Sequence, residues 1–467
     1  MKKFNFIPLL ILFLFLSFYG RGQSGPLPTK QQLAWHEMEF YLFVHFGPNT
    51  FTDKEWGHGD EAADIFNPTQ LDCRQWARVA KQSGAKGIII TAKHHDGFCL
   101  WPSKYSTHTV RESKWKNGQG DVLRELSNAC KEFGLKFGVY ISPWDRNHPD
   151  YGTEKYNDVF VNMMKEIFQN YGPIWELWWD GANGEGPNGK RQVYDWDRFK
   201  KTVKQFSPNT VVFSDIGPHI RWVGNEQGFA GKTNWNYLDT VGFTPGAGAP
   251  PLDTLTTGNV NGKTWIPAEC DVSIRPGWFY HDHEDDKVKT AGQLFDLYLK
   301  SVGRGANFLL NVPPDRRGLI HEKDSVALTG FKKLRDESFE DNLLSRARSY
   351  YEFTPKEVKF RSIEPSGAFG PNLQNFVVEL RTPVNVNCII LREAIHLGQT
   401  VRKFRIELFN GEKNVTEISG TTIGRKRILT FPTTEITSFR VYLEDAVGSD
   451  NISGIAAYLI DEKLIEK

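Results

Sequence analysis

The chain has 467 residues, 39% of them hydrophobic and 24% charged, with a formal net charge of +1. That length exceeds one ordinary core and predicts a large domain plus a smaller one. The near balance of acids and bases excludes the electrostatics expected of a nucleic-acid or membrane-surface partner and favours an uncharged ligand. The aromatic share is 13% with 14 Trp, and Trp and Tyr are suited to stacking on ring faces while offering one polar handle, as for a carbohydrate.

Lys2 and Lys3 precede an apolar run from Ile7 to Tyr19, followed by the small residues Gly20 and Gly22. This pattern predicts a signal peptide over residues 1–22 and an exported protein, periplasmic or secreted, with no membrane insertion after cleavage. The five cysteines, Cys73, Cys99, Cys130, Cys270 and Cys388, form no C-x-x-C pair and are expected to be free and buried.

From Glu39 onward, apolar runs alternate with amphipathic stretches. Strands are expected at 40–47, 87–95, 136–144, 174–181, 210–217 and 306–314. Helices are expected at 69–83, 121–133, 154–170, 193–206 and 289–302. Strands apolar on both faces and separated by helices argue for a parallel sheet. With no G-x-G-x-x-G opening a helix, the pattern points to an α/β fold of the (β/α)8-like barrel kind rather than a doubly wound sheet. The alternation stops near Ser345. Short β-rich runs follow, predicting an all-β sandwich. The expected domains are therefore a catalytic barrel over 23–345 and a sandwich over 346–467.

Most of the expected strands end on polar residues: His45, then His94, His95 and Asp96, then Tyr140 and Trp144, then Asp180, then Asp215. In a parallel barrel, strand C-termini form the active-site mouth. In "IWELWWDGANG", Trp178 and Asp180 are two apart and so share a face, and Gly181 and Ala182 leave room for a ligand. A second carboxylate, Glu226, lies in the Gly-flanked loop "IRWVGNEQG", with Glu269 as a competitor. Two carboxyls at one mouth can divide glycoside hydrolysis into nucleophile and acid/base. The cluster of His45, His94, His95 and Asp96 also admits a metal-hydrolase reading. Adjacent histidines on a strand face opposite ways, so both can serve one site only if the chain has turned.

The stretch "FNPTQLDCRQWARVAKQSGAKGIIITAKHHDGFCLWPSKYS" (66–106), with "YLFVHFG" before it and "GPIWELWWDG" after it, resembles glycoside hydrolase family 29, the α-L-fucosidases, over about residues 33–317. The resemblance implies retaining hydrolysis by double displacement without metal or other cofactor. Asp180 matches the family nucleophile; His45, Glu55, Trp56, His94, His95, Tyr140 and Trp178 match its fucose-binding residues. Arg221 resembles an Arg contacting the sugar, and Trp278 an aromatic lining the fucose methyl group. "RWVGNEQG" is similar to the subgroup preferring α-1,3 and α-1,4 linkages on branched glycans, which makes Glu226 the acid/base. The broad-specificity subgroup would use Glu269 or another acid, and a non-catalytic fucose-binding barrel is the alternative of a different class. The implied partner is a fucosylated oligosaccharide or glycoprotein glycan; nothing in the sequence sets an oligomeric state.

Overall fold

The computed structural model describes residues 25–352, 375–447 and 452–465; the expected signal peptide lies outside them. The strands β1 (Phe40–Val44), β2 (Gly87–Lys93), β3 (Lys136–Ile141), β4 (Glu176–Trp178), β5 (Val211–Ser214), β6 (Ile220–Trp222), β7 (Ala268–Ser273) and β8 (Asn307–Asn311) close into a parallel barrel. Each pairs with the next in sequence, and β8 closes on β1 with Phe40 opposite Phe308. The (β/α)8-like expectation holds.

Side-chain alternation explains why these strands read as unbroken apolar runs. Along β1, Phe40 and Leu42 pack outward against the helices, while Tyr41 and Phe43 join Ile89, Tyr140, Trp178, Phe213 and Leu309 in the barrel interior. Both faces are buried, so neither needs polar residues. Expected helices appear, most trimmed at their ends, as Cys73–Gln82, Val122–Phe133, Glu154–Asn170, Trp196–Phe206 and Ala291–Lys300. Asp72, Asp121 and Asp195 cap three of them by accepting backbone N–H bonds.

Two barrel strands escaped the sequence reading. β6 is only three residues long, too short for a period to register. β7 reads AECDVS, its inward positions being the carboxyls Glu269 and Asp271, which break the apolar signature. The helix Glu322–Ser338 was also missed, because its buried apolar stripe is reduced to Ala327, Leu328 and Phe331.

The C-terminal strands are β9 (Ala347–Glu352), β10 (Asn375–Glu393), β11 (Val401–Asn410), β12 (Lys413–Gly420), β13 (Arg427–Ala446) and β14 (Ile452–Tyr458). They form one antiparallel six-stranded sheet in the order β9-β10-β13-β11-β12, with β14 on β10. The runs expected as separate strands merge: β10 and β13 are long strands whose pairing shifts register at 379/384 and 386/388. Bulges bend strands, and the sheet folds over a single core holding Phe404 and Ile406 of β11 together with Ile455 and Ala457 of β14. All five cysteines are buried and free.

Candidate active site

Continuing each strand's inward alternation past its C-terminal end delivers the polar residues to one place. His45 follows Phe43, Asp180 follows Trp178, and Asp271 follows Glu269. Strand β2 needs an additional device. Its register against β3 shifts between Thr91 and Lys93, and the chain turns directly afterwards, with Gly97 N donating to His94 O at 3.0 Å. Both histidines therefore reach the mouth, their ring centroids 4.2 Å apart. The resulting cavity of about 150 Å³ is lined by His45, Glu55, Trp56, His94, His95, Tyr140, Trp178, Asp180, Glu226 and Trp278, together with Phe43, Ala182 and Asp271. A cavity of this size holds one six-membered ring.

Asp180 is oriented by two donors: Tyr140 Oη reaches Oδ2 at 2.9 Å and the Ala182 backbone N–H reaches Oδ1 at 2.8 Å. Burial and the adjacent Asp180 push the Tyr140 phenol well above its usual value, so it remains a donor. Gly181 is required by crowding, since a Cβ there would stand 2.7 Å from Asp215 Oδ2. Burial, with Asp180 nearby, pushes Asp215 up to about 6.

The histidines present lone pairs to the cavity. Asn311 donates to Ser273 Oγ at 2.9 Å and to Trp278 O at 2.7 Å, which turns its carbonyl oxygen toward His45 Nδ1 at 2.9 Å. Ser142 Oγ donates to Trp144 O at 2.8 Å and accepts from His95 Nδ1 at 2.8 Å. In both rings Nδ1 carries the proton and Nε2 is left as an acceptor. Burial holds His45 down at about 3 and His95 at about 4, and pushes His94 well below the usual histidine value. His95 Nε2 faces Asp180 Oδ2 at 3.6 Å, too long for a hydrogen bond, so the His95 lone pair stays open to the cavity. The metal reading of this cluster lacks the geometry, because no three ligand atoms of His45, His94, His95 and Asp96 gather within 4.8 Å of one another. The described residues whose ligand atoms crowd within 4.8 Å are instead Asp53, His281 and His283. There, His281 already engages both nitrogens with carboxylates.

Across the cavity, exposed Glu226 accepts from Trp278 Nε1 at 3.3 Å. Beneath it lies a residue the sequence reading missed. Asp271 is 3% exposed and accepts from Trp222 Nε1 at 2.9 Å. Burial, then the charge of Glu226, hold its carboxyl well above the ordinary range. Its signal was its position two residues past Glu269 on an unrecognised strand.

Two expected site residues are corrected by the structure. Arg221 is fully buried and faces away from the cavity; it donates to Leu255 O at 2.9 Å, Asn234 Oδ1 at 3.1 Å, Trp235 O at 3.0 Å and Ile266 O. Its neighbour Trp222 takes the inward position, so Arg221 anchors the following loop and does not touch a sugar. Glu269 lies under the floor at 0% exposure, accepting from Trp178 Nε1 at 2.7 Å and from Tyr41 Oη. Burial raises both Glu269 and Glu176 above the usual carboxyl range, and the charge of Glu269 adds to the effect at Glu176. Glu269 supports Trp178 from below, Glu176 accepts from Trp35, and neither carboxyl has a path to a leaving group.

Residues 28–333 match the α-L-fucosidase family model. The chain is 42% identical over 449 residues to alpha-L-fucosidase 1 of Arabidopsis thaliana, covering 93% of this chain and 88% of that one. The chain belongs to the α-L-fucosidases of glycoside hydrolase family 29. It is also similar to the crystal structure of a family 29 member from a rumen bacterium, with TM-score 0.84, 42% identity, and coverage of 94% of this chain and 78% of that one. A Ruminococcus gnavus family 29 fucosidase solved in complex with fucose superposes with TM-score 0.83 at 28% identity, covering 94% and 96%. The chain is thus a glycoside hydrolase with α-L-fucosidase activity. The cavity described above, at the C-terminal end of its barrel, is the fucosidase's candidate active site.

Proposed function

We propose that this fucosidase is an exported, retaining exo-enzyme that releases L-fucose from α-1,3- and α-1,4-fucosylated, Lewis-type glycans. The observation that carries the mechanism is the pairing of Asp180, held by Tyr140 and Ala182, with Glu226 on the wall of the same one-ring cavity. Asp180 attacks the anomeric carbon as Glu226 gives its proton to the leaving oxygen, forming a covalent fucosyl-enzyme. Water, deprotonated by Glu226, then displaces Asp180 and restores both carboxyls with retained configuration. His45, His94, His95, Glu55 and Trp56 bind the ring hydroxyls, while Trp178 and Trp278 supply aromatic wall for the 6-deoxy methyl. The linkage preference is supported by the resemblance of "RWVGNEQG" around Glu226 to the branched-glycan subgroup, and export by the leader-like residues 1–22.

Fucose release is measured from a Lewis-type branched trisaccharide, an α-1,2-fucosylated lactose and an aryl α-L-fucoside. Strong release from the first alone is expected; fast aryl-fucoside cleavage overturns the linkage assignment and leaves the activity intact. Glu226→Ala is expected to lose most turnover on the trisaccharide and to form a fucosyl azide from an aryl fucoside when azide is added. Near-normal turnover by this variant would remove Glu226 from the acid/base role.

A further inference from the structure

Two loops meet beside the cavity, the one after β1 carrying Asp53 and Glu55 and the one after β7 carrying Trp278 and His281. His281 is 6% exposed and bridges them, with Nδ1 2.6 Å from Asp53 Oδ1 and Nε2 2.7 Å from Glu55 Oε1. Carboxylate oxygens only accept, so both ring nitrogens donate and the ring is an imidazolium. Glu55 also accepts from two backbone groups of the second loop, Trp278 N at 2.8 Å and Phe279 N at 3.1 Å. The approach is so close that a Cβ at Gly277 would stand 2.7 Å from Glu55 Oε1 and 2.8 Å from the His281 ring. Glu55 lines the sugar cavity, and so does Trp278, whose indole donates to Glu226.

We propose that His281 is a positioning residue whose imidazolium clamps the Glu55 carboxylate against the Trp278 loop and thereby sets the affinity of the fucose subsite. The proposal rests on the reading that Glu55 binds the sugar. The groups facing the imidazolium are Asp53 and Glu55 from the first loop, His283 with its ring 5.5 Å away, and Arg316 at 3.8 Å from Asp53. Glu284, on the same turn as His281, is engaged with Gly277 N. Burial opposes the charge on His281, but the hydrogen bonds to Asp53 and Glu55 outweigh it and hold the ring above the usual histidine value. The bond from His281, then the nearby cations, hold Asp53 below its usual value. The clamp is therefore closed below the raised His281 value and opens as pH rises through it.

The test measures fucose binding by calorimetry, with KM and kcat in parallel, from about pH 5 to about pH 10. The proteins are the wild type, Glu55→Gln, His281→Gln and Asp53→Asn. In the wild type, affinity should weaken on the alkaline side with KM moving more than kcat. His281→Gln, uncharged and able to reach both carboxylates only imperfectly, should bind fucose about tenfold more weakly at neutral pH and lose the alkaline limb. Asp53 is 45% exposed at its side chain, so Asp53→Asn should fold; it keeps the ring and should move the limb to lower pH. If His281→Gln unfolds, Asp53→Asn decides. A His281→Gln protein with wild-type affinity and pH profile, or an unmoved limb in Asp53→Asn, overturns the clamp while a weakened Glu55→Gln leaves the sugar-site reading standing. Unchanged fucose binding in Glu55→Gln overturns that reading, and the clamp with it.

Discussion

Tyr140 touches Asp180 through a single hydrogen bond, so Tyr140→Phe is a minimal test of how the carboxyl is aimed. Losing that donor should lower kcat by about tenfold to a hundredfold with a smaller change in KM, as measured by fucose release from the Lewis-type trisaccharide. Asp271 offers a sharper test of protonation. Because burial and Glu226 hold its carboxyl well above the ordinary range and so favour the neutral form, Asp271→Asn keeps its size and that uncharged state and should retain most activity. Asp271→Ala strands the Trp222 N–H and should lose about tenfold or more. An inactive Asn variant would mean that Asp271 works as an anion. Arg221 was assigned a sugar contact by resemblance, and its true surroundings are four acceptors inside the loop. Arg221→Met should cost at least ~3 kcal/mol of stability in thermal unfolding, while the fraction that folds keeps its KM for fucoside. Asp180 and the histidines were legible because each follows an apolar strand, and Tyr140 because it stands near the end of one. Asp271 was not, because its own strand carries carboxyls on its interior face.

At the scale of elements, the helix Lys30–His36 carries a titratable residue into the region below the barrel. Thr29 caps it through a capping box with Gln32, and its last residue, His36, is fully buried against Trp35 and Trp265. Burial, then the Arg425 charge, hold His36 down at about 3. The sign follows from linkage: below the unfolded value of about 6.5 the unfolded chain gains a proton that the folded chain refuses. Wild-type stability therefore falls relative to His36→Phe by about 1.4 kcal/mol per pH unit from there toward the folded value. Chemical denaturation of both proteins at about pH 7 and about pH 5 should show that gap opening; a gap independent of pH would mean that the ring is protonated in the fold. Element boundaries follow the same division between local and distant causes. Glu154–Asn170 has the bounds its periodicity predicts, since an amphipathic pattern and its ends are local properties. The merging of two expected strands into β10 is not local, since it depends on partners β9, β13 and β14 from remote parts of the chain.

Across the whole molecule, two polar clusters are among the contacts by which the β domain holds the barrel. Arg425 and Lys426 pair with Glu39 at the N-terminal side of β1, depressing the Glu39 carboxyl strongly against the cost of its burial. Gln399, fully buried, accepts from Asn236 N at 2.8 Å and donates to Asn234 O at 2.9 Å. Asn234 in turn accepts from Arg221, so the C-terminal β domain braces the loop that carries Glu226. Gln399→Ala leaves those groups unpaired and should lower stability by about 2 kcal/mol or more. The readout is faster thermal inactivation of fucoside hydrolysis; an unchanged half-life would show the brace to be dispensable. The sequence by itself determined the barrel, the all-β tail, the nucleophile's strand and most of the cavity wall, because strand alternation, helix periodicity and short motifs are properties of adjacent residues. Only the tertiary structure decided that Arg221 turns away, that Glu269 is sealed beneath the floor, that Asp271 enters the cavity and that His281 joins Asp53 to Glu55. Those outcomes depend on which groups from distant strands and loops meet in a space too small to leave any of them unpaired.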